Sequence, residues 1–315
     1  LINGKRIAGK NNSASGQLDR IPATQVKEFQ IIRGTSGELD VRGSGQIVNV
    51  ILFEQLSSNS ISYEASVERY QDQNFRPGGT LSLSGQRGDL DYLFVTRSQP
   101  RYRVSIGDEY SMLGDYSLND LVLETRTVDQ SVNELSMNLG YELSDSSSLR
   151  MNALYATQND PAKVERYTTN LRVSPNTLLS EREAIPSERD NWEIGGDYMH
   201  VFGGGNRWKT LFIVNDSDNN SVRSRLQIDG DSRERDLYLS NMERTRERIV
   251  RSSFIANLSA AHSLEAGVER AQTILDTSLQ LGLAGDSNDG ERFGGLEAIT
   301  DSTGTVEEMR YEYFA

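Results

Sequence analysis

The chain contains no cysteine among its 315 residues. This absence excludes disulfide frameworks, thiolate zinc sites and cysteine nucleophiles. Histidine is also scarce, since only His200 and His262 occur, and the sequence pairs no serine with either of them. No Gly-x-Ser-x-Gly element precedes a helical pattern, and no βαβ unit surrounds the glycines of residues 203–205. We therefore predict that the protein is not an enzyme, with no catalytic residue and no cofactor.

Long hydrophobic runs are missing as well. No stretch of about 18 apolar residues is present, which excludes a transmembrane helix. Only 36% of the residues are hydrophobic, and the mean hydropathy is -0.56. These values do not exclude a membrane, because a β-barrel strand turns every second residue to lipid and the others to water. Basic residues are in deficit, 33 against 46 acidic ones, so we predict no nucleic-acid partner.

A period of two dominates from about residue 60 onward. Apolar Ile61, Tyr63, Ala65 and Val67 alternate with polar neighbours, which indicates a strand with one apolar face. The ranges 135–141 and 149–155 repeat the pattern on both sides of a serine-rich turn, which predicts a hairpin. About fourteen barrel strands follow from this reading.

The connections between these strands alternate in length. We predict tight turns at residues 203–206 and 261–262 and long polar loops at 174–190 and 283–305. Short turns at one end and long loops at the other are typical of an outer-membrane barrel.

The polar positions of these strands carry many charges, among them Glu193, Asp197, Glu265 and Glu269. A soluble β-sandwich or a solenoid also shows alternation, and in a sandwich the apolar face packs against a second sheet. A water-filled or plug-filled lumen accepts charges in number, so the pattern favours a barrel.

Residues 1–55 have a different sequence pattern from the rest of the chain. Short apolar pieces separated by glycine-rich turns are typical of a small α+β domain. We predict a short helix over Ile21 to Glu28, with Pro22 near its first turn, and a strand over Phe29 to Ile32 that ends at Arg33-Gly34.

Three ordered blocks occur in this region: Leu18-Asp19-Arg20-Ile21-Pro22-Ala23, then Val26 to Gly34, then Gly43-Ser44-Gly45-Gln46 leading into Ile47 to Leu52. They resemble the end of the plug domain of TonB-dependent outer-membrane receptors. The chain departs from that pattern at Thr35 after Arg33-Gly34 and at Asp40 to Arg42 before Gly43. These departures affect the transfer of detailed contacts at this apex.

The resemblance implies a fold class: an all-β transmembrane antiparallel barrel, 22-stranded in the family and incomplete here, with a small α+β plug domain in its lumen. Residues 1–55 would be the C-terminal part of the plug, and residues 56–315 the N-terminal and middle strands of the barrel. About eight further strands would follow Ala315.

The resemblance also implies site residues. Outward-pointing plug loops would contribute to ligand binding through Lys10, Asn11, Asn12, Ser13, Glu38, Asp40 and Arg42. The structural motif of the plug would comprise Arg33, Gly34, Gly43, Gly45 and Asn49. The three glycines allow positive φ in a crowded lumen, and Arg33 would meet glutamates of the barrel wall.

The implied function is import of an extracellular nutrient across the outer membrane of a Gram-negative bacterium. The partners would be TonB, through a box upstream of Leu1, outer-membrane lipid, and a small external ligand such as an iron chelate, a cobalamin-like cofactor or an oligosaccharide. The alternatives are a plug-less porin-like barrel and a secreted β-rich adhesin.

Two acidic clusters, Asp216 to Asn220 and Asp229 to Ser232, do not complete an EF-hand, so we predict solvated loops and no metal.

Overall fold

The structure is a computed structural model, and it describes residues 26–33, 46–52, 59–70, 72–259 and 262–315. Within these ranges the chain forms fourteen strands and two short 3-10 helices, Gly203–Gly205 and Glu291–Phe293. The strands are β1 Val26–Arg33, β2 Gln46–Leu52, β3 Ser60–Arg69, β4 Phe75–Arg87, β5 Leu90–Met112, β6 Leu118–Ser144, β7 Ser147–Asn159, β8 Ala162–Asn170, β9 Thr177–Ile185, β10 Ser187–Val201, β11 Arg207–Asp229, β12 Ser232–Ser259, β13 His262–Leu283 and β14 Glu297–Phe314. No helix in these ranges has the length and apolar character needed to cross a membrane.

The strands β1 and β2 pair with each other in a separate two-stranded antiparallel sheet. This confirms the predicted strand that ends at Arg33. The predicted helix over Ile21 to Glu28 is wrong from Val26 onward, where β1 begins, and residues 21–25 lie outside the described ranges. The β-branched and aromatic content of Val26-Lys27-Glu28-Phe29-Gln30-Ile31-Ile32 favours a strand once a partner strand is available.

The other twelve strands form one large antiparallel sheet with β14 at one edge and β3 at the other. Among the described residues the two edges do not pair, so the sheet is open. All-β antiparallel architecture, as predicted, is confirmed.

Two pairs of strands are continuations of one another. The segments β7 and β8 both run antiparallel to β6 and are separated at Asp160-Pro161, and β9 and β10 are separated at Pro186. Proline has no N–H for the ladder, but Pro161 O accepts from Asp129 N at 3.1 Å and Pro186 O accepts from Val222 N at 3.0 Å. Backbone hydrogen bonding thus continues past both prolines. If each of the two pairs is counted as one strand, the chain crosses the sheet ten times.

The predicted count of about fourteen barrel strands was therefore too high for the described residues. The single strand β6 covers 27 residues, whereas the alternation at residues 135–141 indicated only its last part, and residues 120–125 form an earlier part of the same strand. The stretch between them has polar residues on both faces, and a period-two signal requires one apolar face.

Several tight connections lie at one end of the sheet, which we call the turn end, although the tight turn at residues 230–231 lies at the other end. Antiparallel succession brings together there the connections at residues 88–89, 145–146 and 202–206, and the paired strand ends Ser259 and His262. The connections at 113–117, 171–176 and 284–296 lie at the opposite end, which we call the loop end. The predicted tight turn at residues 203–206 is confirmed, whereas residue 261 of the turn predicted at 261–262 lies outside the described residues. The predicted loop over 174–190 is wrong, because β9 and the start of β10 occupy most of it.

Of the two acidic clusters predicted as loops, the first is a strand element and the second is a turn. Residues 216–220 lie inside β11, and residues 230–231 form a tight turn between β11 and β12, with Gly230 at φ +57°. No group of three or more histidine, aspartate or glutamate side chains that could hold a metal ion occurs among the described residues.

The two faces of the sheet follow from the cross-strand register. Leu135, Tyr155 and Trp192 are successive partners on one face, and Ser136, Leu154 and Glu193 are successive partners on the other. Partners in an antiparallel pair point to the same side of the sheet. We call the side with Trp192 the belt face and the side with Glu193 the polar face.

The belt face carries a continuous apolar belt next to the turn end. Its members on the central strands are Leu135, Met137, Leu139 and Tyr141 of β6, Met151, Ala153 and Tyr155 of β7, Trp192, Ile194 and Tyr198 of β10, Phe212 and Val214 of β11, and Val250 and Phe254 of β12. On β10 the belt runs from Trp192 to Phe202 just beyond the strand, a length that matches the 9–11 residues of a tilted strand in a bilayer.

The belt runs obliquely to the rows of residues that are register partners across successive strands. The row that begins at Tyr63 in the belt continues through Trp192 and reaches Asp216 and Arg246, which lie beyond the belt toward the loop end. Strands tilted against the belt produce this drift, and tilt of 35–45° is general in barrels.

Burial is inverted relative to a water-soluble core. Seven apolar residues are buried in the described part of the chain, against fifteen polar or charged ones. Glu193, Asn215 and Ser136 are 0–1% exposed, whereas Trp192 and Ile194 on the belt face are 37% and 41% exposed. A sheet packed on a second sheet would show the opposite arrangement.

Candidate functional site

The polar face is divided along the strands into three zones. Nearest the turn end is a row of buried polar side chains that includes Glu193, Asn215 and Glu247, which are register partners on β10, β11 and β12. Asp197 in the same zone is 6% exposed and pairs with Arg150 at 2.6 Å. Burial of a carboxylate is tolerable when it is paired and hydrogen-bonded.

The predicted charges of the barrel wall lie on this face. Glu269 pairs with Arg310 at 2.7 Å and with Arg251 at 3.8 Å, and Glu265 pairs with Arg251 at 3.6 Å. These residues therefore form a wall of ion pairs rather than separate charges.

The zone nearest the loop end is an ion-pair cluster. Arg166 of β8 contacts Glu124 at 2.6 Å, Glu181 at 3.4 Å and Glu183 at 3.6 Å. Arg223 of β11 donates two hydrogen bonds of 2.8 Å to Glu183. The Glu183 side chain is only 2% exposed, so two arginines hold one nearly inaccessible carboxylate.

The cluster continues onto β12. Arg225 pairs with Asp236 at 2.9 Å and with Glu181 at 3.2 Å. The hydrogen bond to Asp236 raises the pKa of the Arg225 guanidinium above its ordinary value, against the opposing effect of burial. These ion pairs tie β9, β11 and β12 together.

Between these two zones lies a cavity of about 290 Å³. One row of its lining consists of Gln158, Arg189, Asn219 and Glu243, which are register partners across β7, β10, β11 and β12. The adjacent row, two residues nearer the turn end, contributes Asn191, Ser217 and Thr245. The alternation of each strand places all these side chains on the polar face.

The lining side chains offer many unused hydrogen-bonding groups. Arg189, Glu243, Gln158, Asn219, Ser217 and Thr245 form no side-chain hydrogen bond or ion pair with any of the described residues. Asn191 accepts from Asn215 Nδ2 at 3.2 Å. The cavity thus combines one cation, one anion, amides and hydroxyls, which can bind a polar solute.

Most of the site residues predicted from the sequence lie outside the described ranges. These are Lys10, Asn11, Asn12, Ser13, Gly34, Glu38, Asp40, Arg42, Gly43 and Gly45. Arg33 is the last residue of β1, and its side chain is not described. The predicted ligand loops stay a prediction.

Asn49 is the one predicted motif residue whose side chain is described. It lies in β2, is 1% exposed, and donates from Nδ2 to Gln30 Oε1 of the paired strand at 3.1 Å. Val50 beside it is also 1% exposed. A buried amide that bridges the two strands fits the predicted structural role.

The structure brings together one pair that the sequence did not reveal. Ser147 Oγ lies 2.7 Å from Nδ1 of His200, because the two residues are partners across β7 and β10. This histidine donates no hydrogen bond to a described carboxylate, so the third group that orients a catalytic histidine is not provided by the described residues. The two residues are 53 positions apart in sequence, so only the pairing of the two strands shows that they are in contact.

No family model matches the chain, and no curated protein matches it. Among solved structures, the open form of the ferric-catecholate import receptor Fiu from E. coli K12 covers 92% of this chain at 8% identity and a TM-score of 0.41. The ferric yersiniabactin uptake receptor FyuA from Yersinia pestis also covers 92%, at 11% identity and a TM-score of 0.34.

This chain spans 57% of the first receptor and 49% of the second, which is about half of each. The predicted resemblance to TonB-dependent receptors is confirmed as a structural match to these two chains. A match at these TM-scores and identities carries no information on ligand or mechanism. In backbone architecture, the large antiparallel sheet of this chain is similar to part of a TonB-dependent receptor.

Proposed function

We propose that this chain is part of a TonB-dependent receptor that imports a small polar ligand across the outer membrane of a Gram-negative bacterium. The observation that carries the proposal is the pairing of an exposed apolar belt with a buried polar face on the same strands. Lipid solvates the belt, and the polar face lines the interior. Backbone groups within the hydrocarbon region are satisfied by the strand ladder.

The proposed domain division follows the sequence resemblance. Residues 1–55 form the end of a plug, to which the hairpin of β1 and β2 belongs, and residues 56–315 form barrel strands. The plug loops around Lys10 to Ser13 and Glu38 to Arg42 face the ligand from below, and TonB acts on the plug to open a path. The polar face of the sheet provides the wall along which the ligand passes.

The strand lengths support an outward orientation of the loop end. The strands β5, β6, β11, β12 and β13 have 22–28 residues, about twice the length needed to cross a bilayer. Their surplus projects from the belt toward the loop end. Long extracellular extensions and short periplasmic turns are the usual arrangement of such barrels.

The two alternative functions predict different structural features. A secreted adhesin with a sandwich fold buries its apolar face, yet Trp192, Tyr155 and Leu135 are 37–55% exposed. A porin-like barrel accommodates the belt equally well, but it has no plug blocks ahead of its first strand. The motif around Arg33-Gly34 therefore favours the receptor.

The first test is the behaviour of the full-length protein in the outer-membrane fraction. We expect it to sediment with outer membranes and to migrate faster on a gel before boiling than after boiling, because a closed barrel resists detergent. A protein found in the soluble fraction with unchanged mobility would contradict the membrane assignment.

The second test separates the receptor from a porin. Cross-linking in cells should capture TonB on the full-length protein, and removal of the segment upstream of the plug should abolish this capture. A heat-modifiable outer-membrane protein that never cross-links to TonB would leave the porin alternative.

A further inference from the structure

The cavity on the polar face is chemically unlike the zones on either side of it. In the ion-pair cluster, Glu183 and Glu181 are 2% and 8% exposed and both are held by arginines. In the cavity, Arg189 and Glu243 are exposed, and their side chains form no hydrogen bond or ion pair with the described residues. The cavity therefore presents one cation and one anion whose side chains have no partner among the described residues.

The two charges do not pair with each other in the structure. Arg189 on β10 and Glu243 on β12 are both partners of Asn219 on the intervening strand β11. Two strand spacings separate their backbones by about 10 Å. A solute placed between them meets a guanidinium on one side and a carboxylate on the other.

The groups between the charges are neutral hydrogen-bonding side chains. Asn219 lies between Arg189 and Glu243 in one row, and Ser217 and Thr245 lie in the adjacent row. Amides and hydroxyls both donate and accept, so they can bind peptide-like groups without a net charge. The volume of about 290 Å³ is at the small end of ligand pockets.

We propose that this cavity binds a small zwitterionic solute, with the anionic group of the solute on Arg189 and its ammonium group on Glu243. The proposal deepens the proposed function and rests on it, since the cavity would be an import site on the inner wall. Arginine binds a carboxylate through two parallel hydrogen bonds. A neutral polyol would leave both charges without a partner on desolvation, which is costly.

A purely anionic ligand fits the cavity less well. Its second charge would face Glu243, and like charges in a partly desolvated site repel. The negative net charge of the chain, -13, adds to that repulsion. The complementary ligand therefore carries both signs at a separation comparable to the distance between the two side chains.

The test uses four defined probes with the full-length protein in detergent, measured by calorimetry. Triglycine carries both charges, triglycine amide lacks the carboxylate, N-acetyl-triglycine lacks the ammonium, and maltotriose is neutral. We expect triglycine to bind at least about tenfold more tightly than each of the other three, as the loss of one charged hydrogen-bonded contact implies.

Two substitutions should change this preference selectively. Arg189→Gln should remove the preference for triglycine over its amide and keep the preference over the acetylated form. Glu243→Gln should do the reverse. Arg233→Gln and Glu234→Gln, at exposed positions of β12 near its hairpin turn, are matched controls and should leave both preferences intact.

The outcomes separate this proposal from the proposed function. If maltotriose binds as tightly as triglycine, or if the two cavity variants bind every probe as the wild type does, the zwitterion site is wrong. Absence of binding of all four probes overturns it as well. In each of these cases the heat-modifiable form and TonB capture would still stand, and failure of those two assays would instead remove the proposed function.

Discussion

The half of the sheet near the turn end and the half near the loop end use the same strands in opposite ways. In the turn half, the belt face is apolar and the polar face holds buried side chains such as Glu193 and Asn215. In the loop half, both faces carry charges, with Asp216 paired to Arg244 on the belt face and Glu183 paired to Arg223 on the polar face.

The proposed function explains this difference, because the surroundings of the belt face would then change partway along each strand. A strand in water on both sides gains nothing from an apolar belt, whereas a strand in lipid cannot expose charges there without cost. Ion pairs replace apolar contact as the means of holding neighbouring strands together beyond the belt. The boundary lies between Val214, which is in the belt, and Asp216, which is beyond it.

The largest change in the free energy of unfolding is expected when the same charged residue is placed once in each half of the sheet. Leu139 and Leu123 lie on the same face of β6, Leu139 in the centre of the belt and Leu123 in the loop half. We expect Leu139→Arg to lower the free energy of unfolding from lipid by about 2–4 kcal/mol. Leu123→Arg, at a site 48% exposed, should change it by less than about 0.5 kcal/mol.

Reversible unfolding in lipid vesicles with denaturant measures both values. Equal effects of the two substitutions would mean that the two halves share one solvent, and the comparison would fail.

The ion-pair cluster allows a second comparison, between a buried and an exposed carboxylate. Glu183→Gln leaves Arg166 and Arg223 without their shared partner, and we expect a loss of about 2 kcal/mol. Glu165, 53% exposed and 3.3 Å from Arg182, is the matched control. Glu165→Gln should cost less than about 1 kcal/mol, as surface ion pairs do. A smaller loss for Glu183 than for Glu165 would show that the cluster does not stabilise the loop half.

The belt-face charges beyond the boundary predict a pH dependence. Hydrogen bonds from Thr305 and then from Arg246 hold the pKa of the Asp276 carboxyl below its ordinary value of 3.8. Since the folded pKa is the lower one, the stabilisation is present above pH 3.8 and is lost as the pH falls through the folded value.

The difference in unfolding free energy between the wild type and Asp276→Asn should therefore be present at pH 7 and shrink at and below the ordinary carboxylate range. A difference that stays constant from pH 7 to pH 3 would show that Asp276 is not stabilised as a carboxylate.

The smallest expected effect is a difference in fluorescence quenching of the two tryptophans, which are the only two in the chain. Trp192 lies at the loop-end margin of the belt, and Trp208 lies at the turn-end margin, where it contacts Tyr198 with ring centroids 5.8 Å apart. Aromatic residues at both margins are typical of lipid interfaces.

In the single variants Trp192→Phe and Trp208→Phe, brominated phospholipid should quench the remaining tryptophan and aqueous iodide should quench it little. A tryptophan quenched by iodide alone would shift the belt boundary on its side.

Several features of the fold were predictable because they depend on local pattern. The alternation at Ile61 to Val67 and in the hairpin around Ser144 to Ser148 predicted strands and a tight turn correctly. The same rule failed at residues 126–134 of β6 and at residues 177–190, where both faces are polar and no alternation exists. The helix predicted up to Glu28 failed because pairing with β2 decided the conformation of Val26 to Glu28.

The sequence by itself determined the antiparallel character of the strands, the two-faced belt and the abundance of charges on the opposite face, because these follow from residue type at a period of two. Tertiary structure alone decided which charges pair and which stay open. Gln158, Arg189, Asn219 and Glu243 are distant in sequence, and only the register of four strands brings them into one row. Register depends on long-range hydrogen bonding, which no local pattern encodes.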